Sequence, residues 1–182
     1  MWLLPVFFMI HDFEEIIVFE RWIGREGPRI RERFPRFGGR LLARVSGLST
    51  SSFAIAVSEE FVLLSILTAV FVESGNYEAW AGLLLGFGIH LVVHIGQGIA
   101  YRRYVPGFAT CFPCLLYCAG ALLAVDTVHR LTWSRVAVWT LAALIIIAVN
   151  LAAAHALAAF IARHAPSAAP SESDAGKRNR GE

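Results

Sequence analysis

Long apolar stretches alternate with short polar segments along this chain of 182 residues. A helix needs roughly 20 mainly apolar residues to cross a bilayer, and the sequence offers five stretches of about that length. The alternating strands of roughly ten residues that build a membrane β-barrel are not seen. The pattern therefore predicts an all-α fold, a polytopic transmembrane helical bundle. Its expected spans cover about residues 2–23, 48–72, 79–99, 106–125 and 135–163.

The composition of the chain also indicates a membrane protein. Hydrophobic residues make up 57% of the chain and charged residues 16%, against about 25% charged residues in ordinary soluble domains. A net charge of only +2 makes us expect no nucleic acid partner, and membrane lipids become the expected surroundings. One membrane domain is predicted over residues 1–163. Residues 164–182, rich in Ser, Ala, Pro and charge, are expected to form a disordered cytoplasmic tail.

Arginines indicate how the bundle is oriented. They concentrate in the first loop, the third loop and the tail, and basic loops favour the cytoplasmic side of a membrane. Five spans place the two termini on opposite sides, which agrees with this distribution. We therefore expect a protein of the cell inner membrane, with its N-terminus outside and its C-terminus in the cytoplasm. The first-loop arginines are Arg25, Arg29, Arg31, Arg33, Arg36, Arg40 and Arg44.

Three expected spans carry ionisable residues near their middle, which is unusual in a membrane helix. Because neighbouring helices alternate in direction, these residues fall at a similar depth. A charged side chain at the bilayer centre costs about 2.5–3.5 kcal/mol, so we interpret the group as functional. It comprises His11, Glu14 and Glu15 in the first span, Glu59 and Glu60 in the second, and His90 and His94 in the third.

The spacing of these residues favours a metal site. Residues three and four apart share a helix face, so His11 pairs with Glu14 or Glu15, and His90 pairs with His94. Only one of two adjacent glutamates can point straight at a given centre. Mixed sets of Glu and His in helical bundles bind zinc, iron or manganese. We expect one or two such divalent transition-metal ions. The candidate ligands are His11, Glu14, Glu15, Glu59, Glu60, His90 and His94.

Other polar or small residues in the spans receive structural interpretations. Cys111 and Cys114 have a C-x-x-C spacing, but small thiols inside a membrane helix usually serve packing. Gly82 and Gly86 fit the small-xxx-small pattern that lets two helix backbones approach. Asn150 lies near the middle of the last span, where its amide needs a partner on another helix, such as a carboxylate.

The motif His11-Asp-Phe-Glu14-Glu15 resembles the signature of the HXXEE domain family, a group of small bacterial membrane proteins. The segments Trp2-Leu-Leu-Pro5 and Tyr104-Val-Pro106-Gly107 are also similar to that family's pattern, so the resemblance covers roughly residues 2–125. It implies a multi-helix membrane fold and functional roles for the His and the two Glu of the motif. It implies no settled reaction. A weaker likeness to intramembrane CAAX-type proteases suggests water activated by glutamate.

A metal-dependent membrane enzyme is the function that we expect, with hydrolysis of a hydrophobic or lipid-like substrate as its reaction. The candidate catalytic residues are Glu14, Glu15 and Glu60, one of which would act as general base. Two alternatives stay open. One is a subunit of a divalent-cation or proton transporter, for which assembly into a homo-oligomer would compensate for the short chain. The other is a metal-independent acid/base isomerase or cyclase with one protonated Glu.

Overall fold

The computed structural model describes residues 1–36, 38–45 and 49–164. Within them the chain forms six α-helices and no strand, which confirms the predicted all-α fold. Except for residue 164, which ends the last helix, the expected tail over 164–182 lies outside the described residues. The helices are α1 (Leu4–Arg33), α2 (Gly38–Val45), α3 (Thr50–Glu73), α4 (Tyr77–Tyr101), α5 (Cys111–His129) and α6 (Trp133–His164).

Four of these helices, α3 to α6, are long and apolar enough to cross a membrane, α6 through its part up to Asn150. They correspond to the last four expected spans and confirm the predicted helical membrane bundle. The first expected span corresponds to the first part of α1, which is not among the four because its ionisable residues lower its hydropathy. A fifth crossing, and with it the orientation of the termini, stays a prediction.

Helix α1 has an apolar outer face and an ionisable inner face, the reverse of a helix on a soluble protein. The exposed residues recur with the period of an α-helix, whereas His11, Asp12 and Glu15 on the other side are buried. This arrangement suits a helix that turns its apolar side to lipid and its polar side to the interior of the bundle. The exposed stripe consists of Val6, Ile10, Phe13 and Ile17.

Helices α4 and α6 pack at close range through the small residues of α4. A Cβ atom added to Gly82 would lie 2.6 Å from the Cβ of Trp139, which is closer than two carbon atoms can approach. One added to Gly86 would lie 3.4 Å from the Cβ of Ala143. The predicted small-xxx-small packing is therefore confirmed, and α6 closes the side of the bundle formed by α3 and α4.

The start of α5 differs from the expected span, which began at residue 106. Gly107 has a φ of +80°, a left-handed conformation that interrupts a right-handed helix, and α5 begins only at Cys111. We call residues 102–110, between α4 and α5, the return loop. The Cys111 thiol donates to the carbonyl oxygen of Leu91 at 3.3 Å. At 1.5 Å per residue, the return loop has run back about 15 Å along α4 from its end at Tyr101.

The middle of the return loop is enclosed by protein. Val105, Pro106 and Gly107 are buried, although they form no helix. Non-helical backbone at membrane depth is stable only where it is buried in protein or lines a cavity, because its polar groups need partners. The return loop meets that condition, because α1 and α4 supply partners for its polar groups.

Candidate metal centre

Four of the predicted ligands meet between α1 and α4. His11, Glu15, His90 and His94 each offer one ligand atom, and these atoms all lie within 4.8 Å of one another. Nε2 of His11 is 3.2 Å from Nε2 of His90, and Nε2 of His94 is 3.0 Å from Oε1 of Glu15. Tetrahedral ligands bound at about 2.0–2.1 Å are separated by about 3.3–3.4 Å. These four residues, the His/Glu cluster, therefore have spacings that can hold a metal ion.

Helix periodicity explains why these side chains converge. His11 and Glu15 are four residues apart on α1, and His90 and His94 are four residues apart on α4, as the sequence predicted. The three imidazole rings lie edge to face, with ring centroids separated by 4.6–5.2 Å. His11 is fully buried and Glu15 is 8% exposed. The cluster is thus an interior feature of the bundle.

The hydrogen bond of His94 fixes which of its nitrogens faces the cluster. Nδ1 lies 3.1 Å from the carbonyl oxygen of Pro106, which can only accept, so Nδ1 carries the proton and donates it. In the neutral ring, Nε2 then presents a lone pair to Oε1 of Glu15 at 3.0 Å. That oxygen is buried and forms no hydrogen bond with any residue that the structure describes. Either a proton on Nε2, which makes the contact an ion pair, or a metal ion bound by both atoms resolves this contact.

His11 is held in the same tautomer by Thr110. The Thr110 hydroxyl lies 2.6 Å from Oε2 of Glu14 and 3.2 Å from the carbonyl oxygen of Gly107, and both are acceptors. Its single proton goes to one of them, so Nδ1 of His11, at 3.1 Å, must donate to the hydroxyl oxygen. Nε2 of His11 is left to bind within the cluster. Metal-ligating histidines typically have such a partner on the second nitrogen.

Glu14 points away from the cluster and binds the return loop instead. With four donors on its two oxygens, its carboxylate acts as a cap for the N-terminal end of α5, where unpaired N–H groups favour an anion. Helix geometry sends only one of the two adjacent glutamates to the cluster, and the structure shows that this is Glu15. The donors to Glu14 are the Tyr104 hydroxyl (2.5 Å), the Thr110 hydroxyl (2.6 Å), and the N–H groups of Thr110 (2.8 Å) and Ala109 (3.2 Å).

Two further features bind the return loop to the cluster. A Cβ atom added to Gly107 would lie 2.7 Å from Cε1 of His11 and 2.8 Å from Oε1 of Glu15, so only glycine fits. Loss of water contact, and then the bond to Glu14, raise the pKa of Tyr104, which remains a neutral donor. The segment from Tyr104 to Gly107 therefore completes the wall of the centre.

One known protein family matches the part of the chain that contains these residues. The sequence profile of the family described as "Protein of unknown function with HXXEE motif" matches residues 2–121. This chain belongs to the HXXEE family. In the HXXEE motif of this chain, the histidine His11 and the second glutamate Glu15 enter the cluster, whereas the first glutamate Glu14 binds the return loop. No curated protein and no solved structure matches the chain.

The two glutamates of α3 occupy different places relative to the HXXEE motif. Glu59 accepts a hydrogen bond of 2.8 Å from the Asn150 amide on α6 and lies outside the cluster. Asn150 thus has the interhelical carboxylate partner that the sequence suggested. Glu60 lines a cavity together with Glu15 and His90, two members of the cluster.

The cavity beside the HXXEE motif has a volume of about 260 Å³. Side chains of α1, α3, α4 and α6 line it, and most of them are apolar. Asp12 also faces the cavity, although it is not among the residues predicted from the sequence and is turned about 100° from His11. It is 4% exposed, and no described residue forms a hydrogen bond with its Oδ2. The overlooked signal was its position three residues before Glu15, on the same face of α1.

The cysteines have the structural role that was predicted. Cys111, Cys114 and Cys118 are all buried, and none of them forms a disulfide. The Cys111 thiol donates to the carbonyl oxygens of Leu91 and Gly107, and the Cys114 thiol donates to that of Phe7. These contacts fasten the beginning of α5 to α4, to the return loop and to α1, and they lie outside the His/Glu cluster.

Proposed function

We propose that this protein is a metal-dependent, membrane-embedded hydrolase that acts on a hydrophobic, lipid-like substrate. One observation carries the proposal: a cluster of three imidazoles and one carboxylate adjoins a largely apolar cavity within a bundle of membrane helices. His90 and Glu15 belong both to the cluster and to the cavity wall. A substrate in the cavity would therefore touch the metal centre directly.

The chemistry of the ligand set supports one divalent transition-metal ion per chain. Imidazole and carboxylate ligands suit zinc, iron and manganese. His11 and His94 both present Nε2, and each has its Nδ1 fixed by an acceptor, as ligating histidines require. Nε2 of His94 and Oε1 of Glu15 are 3.0 Å apart, close enough to bind one ion in place of the proton that they can share. When bound, such an ion supplies Lewis acidity that polarises a carbonyl group and makes water more acidic.

The residues around the cavity would divide the remaining work. Glu60 lines the same cavity as His90 and Glu15 and would accept the proton of the attacking water as general base. The same carboxyl group would return that proton to the leaving alcohol. Asp12 adds a further carboxyl group to the wall that α1 contributes. Glu14 acts at a distance, because it holds Thr110 against His11 and thereby sets the orientation of that imidazole.

Access through the membrane follows from the position of the cavity. Its walls come from α1, α3, α4 and α6, three of which are candidate spans, so an apolar substrate would enter from the lipid and not from water. We place the protein in the inner membrane with the N-terminus outside and the C-terminus in the cytoplasm. Cysteine labelling of the return loop and of the α3–α4 turn from either side, in a background without native thiols, would test this orientation.

The test compares two neighbouring glutamates. Purified protein loaded with zinc, iron or manganese is assayed on uncharged long-chain esters, with Glu60→Gln as the test variant and Glu59→Gln as its control. Removal of the base should lower kcat by about 10²–10⁴-fold in Glu60→Gln, while Glu59→Gln should resemble the wild type. Protein that keeps full activity in strong chelator would contradict metal dependence and favour an acid/base enzyme without metal.

A further inference from the structure

The cavity has an acidic middle and two apolar ends. Along α1, one face presents Phe8, Asp12, Glu15 and Phe19 to it, so two carboxyl groups lie between two aromatic rings. The distance from Phe8 to Phe19 is about 16 Å along the helix axis, at 1.5 Å per residue. The ionisable groups therefore lie near the centre of the cavity and not at one mouth.

Helix α3 repeats this order in the opposite direction. Its face to the cavity runs from Phe53 through Glu60 to Leu67. The ring of Phe53 lies against that of Phe19, with centroids 5.2 Å apart, at one end of the cavity. At the other end the ring of Phe8 lies 6.0 Å from that of Phe87 on α4. Aromatic pairs thus line both ends. Between them lie the carboxyl groups of Asp12, Glu15 and Glu60, which we call the acidic belt.

The charge of this belt restricts the ligand. Asp12, Glu15 and Glu60 contribute carboxyl groups, and no Lys or Arg is among the described residues that line the cavity. A divalent ion at the cluster would balance two ionised carboxylates, which leaves no positive charge for an anionic ligand. An anionic group at low dielectric without a cationic partner is disfavoured. Phospholipids and free fatty acids therefore fit this cavity poorly, whereas an uncharged polar group fits its centre.

We propose that the substrate is an uncharged lipid whose ester group joins two hydrocarbon arms, one for each apolar end of the cavity. This inference rests on the proposed hydrolase function and specifies its substrate class. In the reaction, the oxygen of water bonds to the acyl carbon and the acyl C–O bond to the alcohol oxygen breaks. Glu60 takes one proton from the water and gives it to the departing alcohol oxygen. The products are a long-chain acid and a long-chain alcohol, and the acid finds no cationic side chain among the described residues of the cavity wall.

Three probes of similar size separate shape from charge. Dioctyl ether is uncharged with two arms, its isomer methyl pentadecyl ether is uncharged with one arm, and dioctyl phosphate has two arms and a negative charge. Binding to the zinc-loaded full chain is measured by native mass spectrometry. We expect dioctyl ether to bind at least about tenfold more tightly than either of the others. Equal or tighter binding of dioctyl phosphate, or of methyl pentadecyl ether, would overturn the inference.

A pair of variants places the ligand in the cavity. Ala56 lines the end of the cavity near Phe53, and Ala56→Phe should weaken dioctyl ether binding by about tenfold because it fills the space of one arm. Ala124 is exposed on α5 away from the cavity, and Ala124→Phe should leave binding unchanged. Equal binding in both variants would contradict the assignment of the arm. If Ala56→Phe does not fold, the comparison of the three probes on the wild-type chain still tests the ligand class.

Hydrolysis is measured separately, with octyl nonanoate as the substrate. Preferred binding of dioctyl ether without turnover of octyl nonanoate would refute the hydrolase function and leave the ligand class supported. Turnover of a phospholipid as fast as that of octyl nonanoate would support a hydrolase and refute the ligand class.

Discussion

Replacement of Gly107 by alanine should damage the metal centre more than the fold. Gly107 has a φ of +80°, and its missing side chain leaves room for His11 and Glu15. A Cβ atom there would lie 2.7 Å from Cε1 of His11 and 2.8 Å from Oε1 of Glu15. His11 is fully buried and fixed by Thr110, so the imidazole has little space into which it can withdraw. The ring and the carboxylate must move apart, and both are proposed ligands.

Two contributions set the size of the effect. The left-handed conformation costs a residue with a Cβ about 1–2 kcal/mol. Forcing an extra methyl group into a packed interior costs typically about 1–3 kcal/mol. The free energy of unfolding of Gly107→Ala should therefore fall by about 2–5 kcal/mol. Displaced ligands should in addition weaken zinc affinity by about tenfold to a hundredfold, the range seen when the orientation of a ligand is disturbed.

Gly75 provides a matched control for this prediction. It lies in the turn between α3 and α4 with a φ of +70°, and an added Cβ would meet nothing within 4 Å. Gly75→Ala should lose only about 1–2 kcal/mol and keep wild-type zinc affinity. Unfolding in detergent and zinc titration of both variants give the comparison. Wild-type zinc affinity in Gly107→Ala would refute the proposed contact between the return loop and the metal centre.

Three further predictions concern the groups that hold the centre together. Thr110→Val removes the acceptor for Nδ1 of His11 and should lower zinc affinity about 10–100-fold. Thr110→Ser keeps the hydroxyl and should keep the affinity. Equal zinc affinities of the two variants would argue against the contact between Thr110 and His11. Glu15→Gln should abolish stoichiometric metal binding, but Glu14→Gln should retain it and make the return loop more sensitive to proteolysis. Zinc affinity should fall as the pH drops through about 6.5, because protons then compete with zinc for the imidazoles. A zinc affinity that does not change between about pH 5 and about pH 8 would contradict histidine ligation.

Much of the fold and half of the centre are predictable from local periodicity. Apolar stretches of bilayer length predict α3 to α6, since without the alternating pattern of a β-barrel only helices satisfy the backbone in lipid. The spacing of four residues predicts that His90 acts with His94 and that His11 acts with one glutamate of the motif. These inferences need no knowledge of how helices are rotated against one another.

The remaining features depend on tertiary contacts that periodicity does not determine. Glu14 and Glu15 are adjacent, and the choice between them depends on where the return loop places its N–H groups. The late start of α5 depends on the left-handed conformation of Gly107, which the apolar pattern conceals. Asp12 faces the cavity because of the rotation of α1 against α3.

The most direct test of the account is the metal content of the purified protein. Elemental analysis of the full chain in detergent, after removal of loosely bound ions, should find about one zinc, iron or manganese ion per chain. His94→Ala and Glu15→Gln should carry almost none, while Glu59→Gln, whose carboxylate lies outside the cluster, should match the wild type. Wild-type protein without a transition metal after supply of all three ions, or His94→Ala and Glu15→Gln proteins with undiminished content, would contradict the central claim.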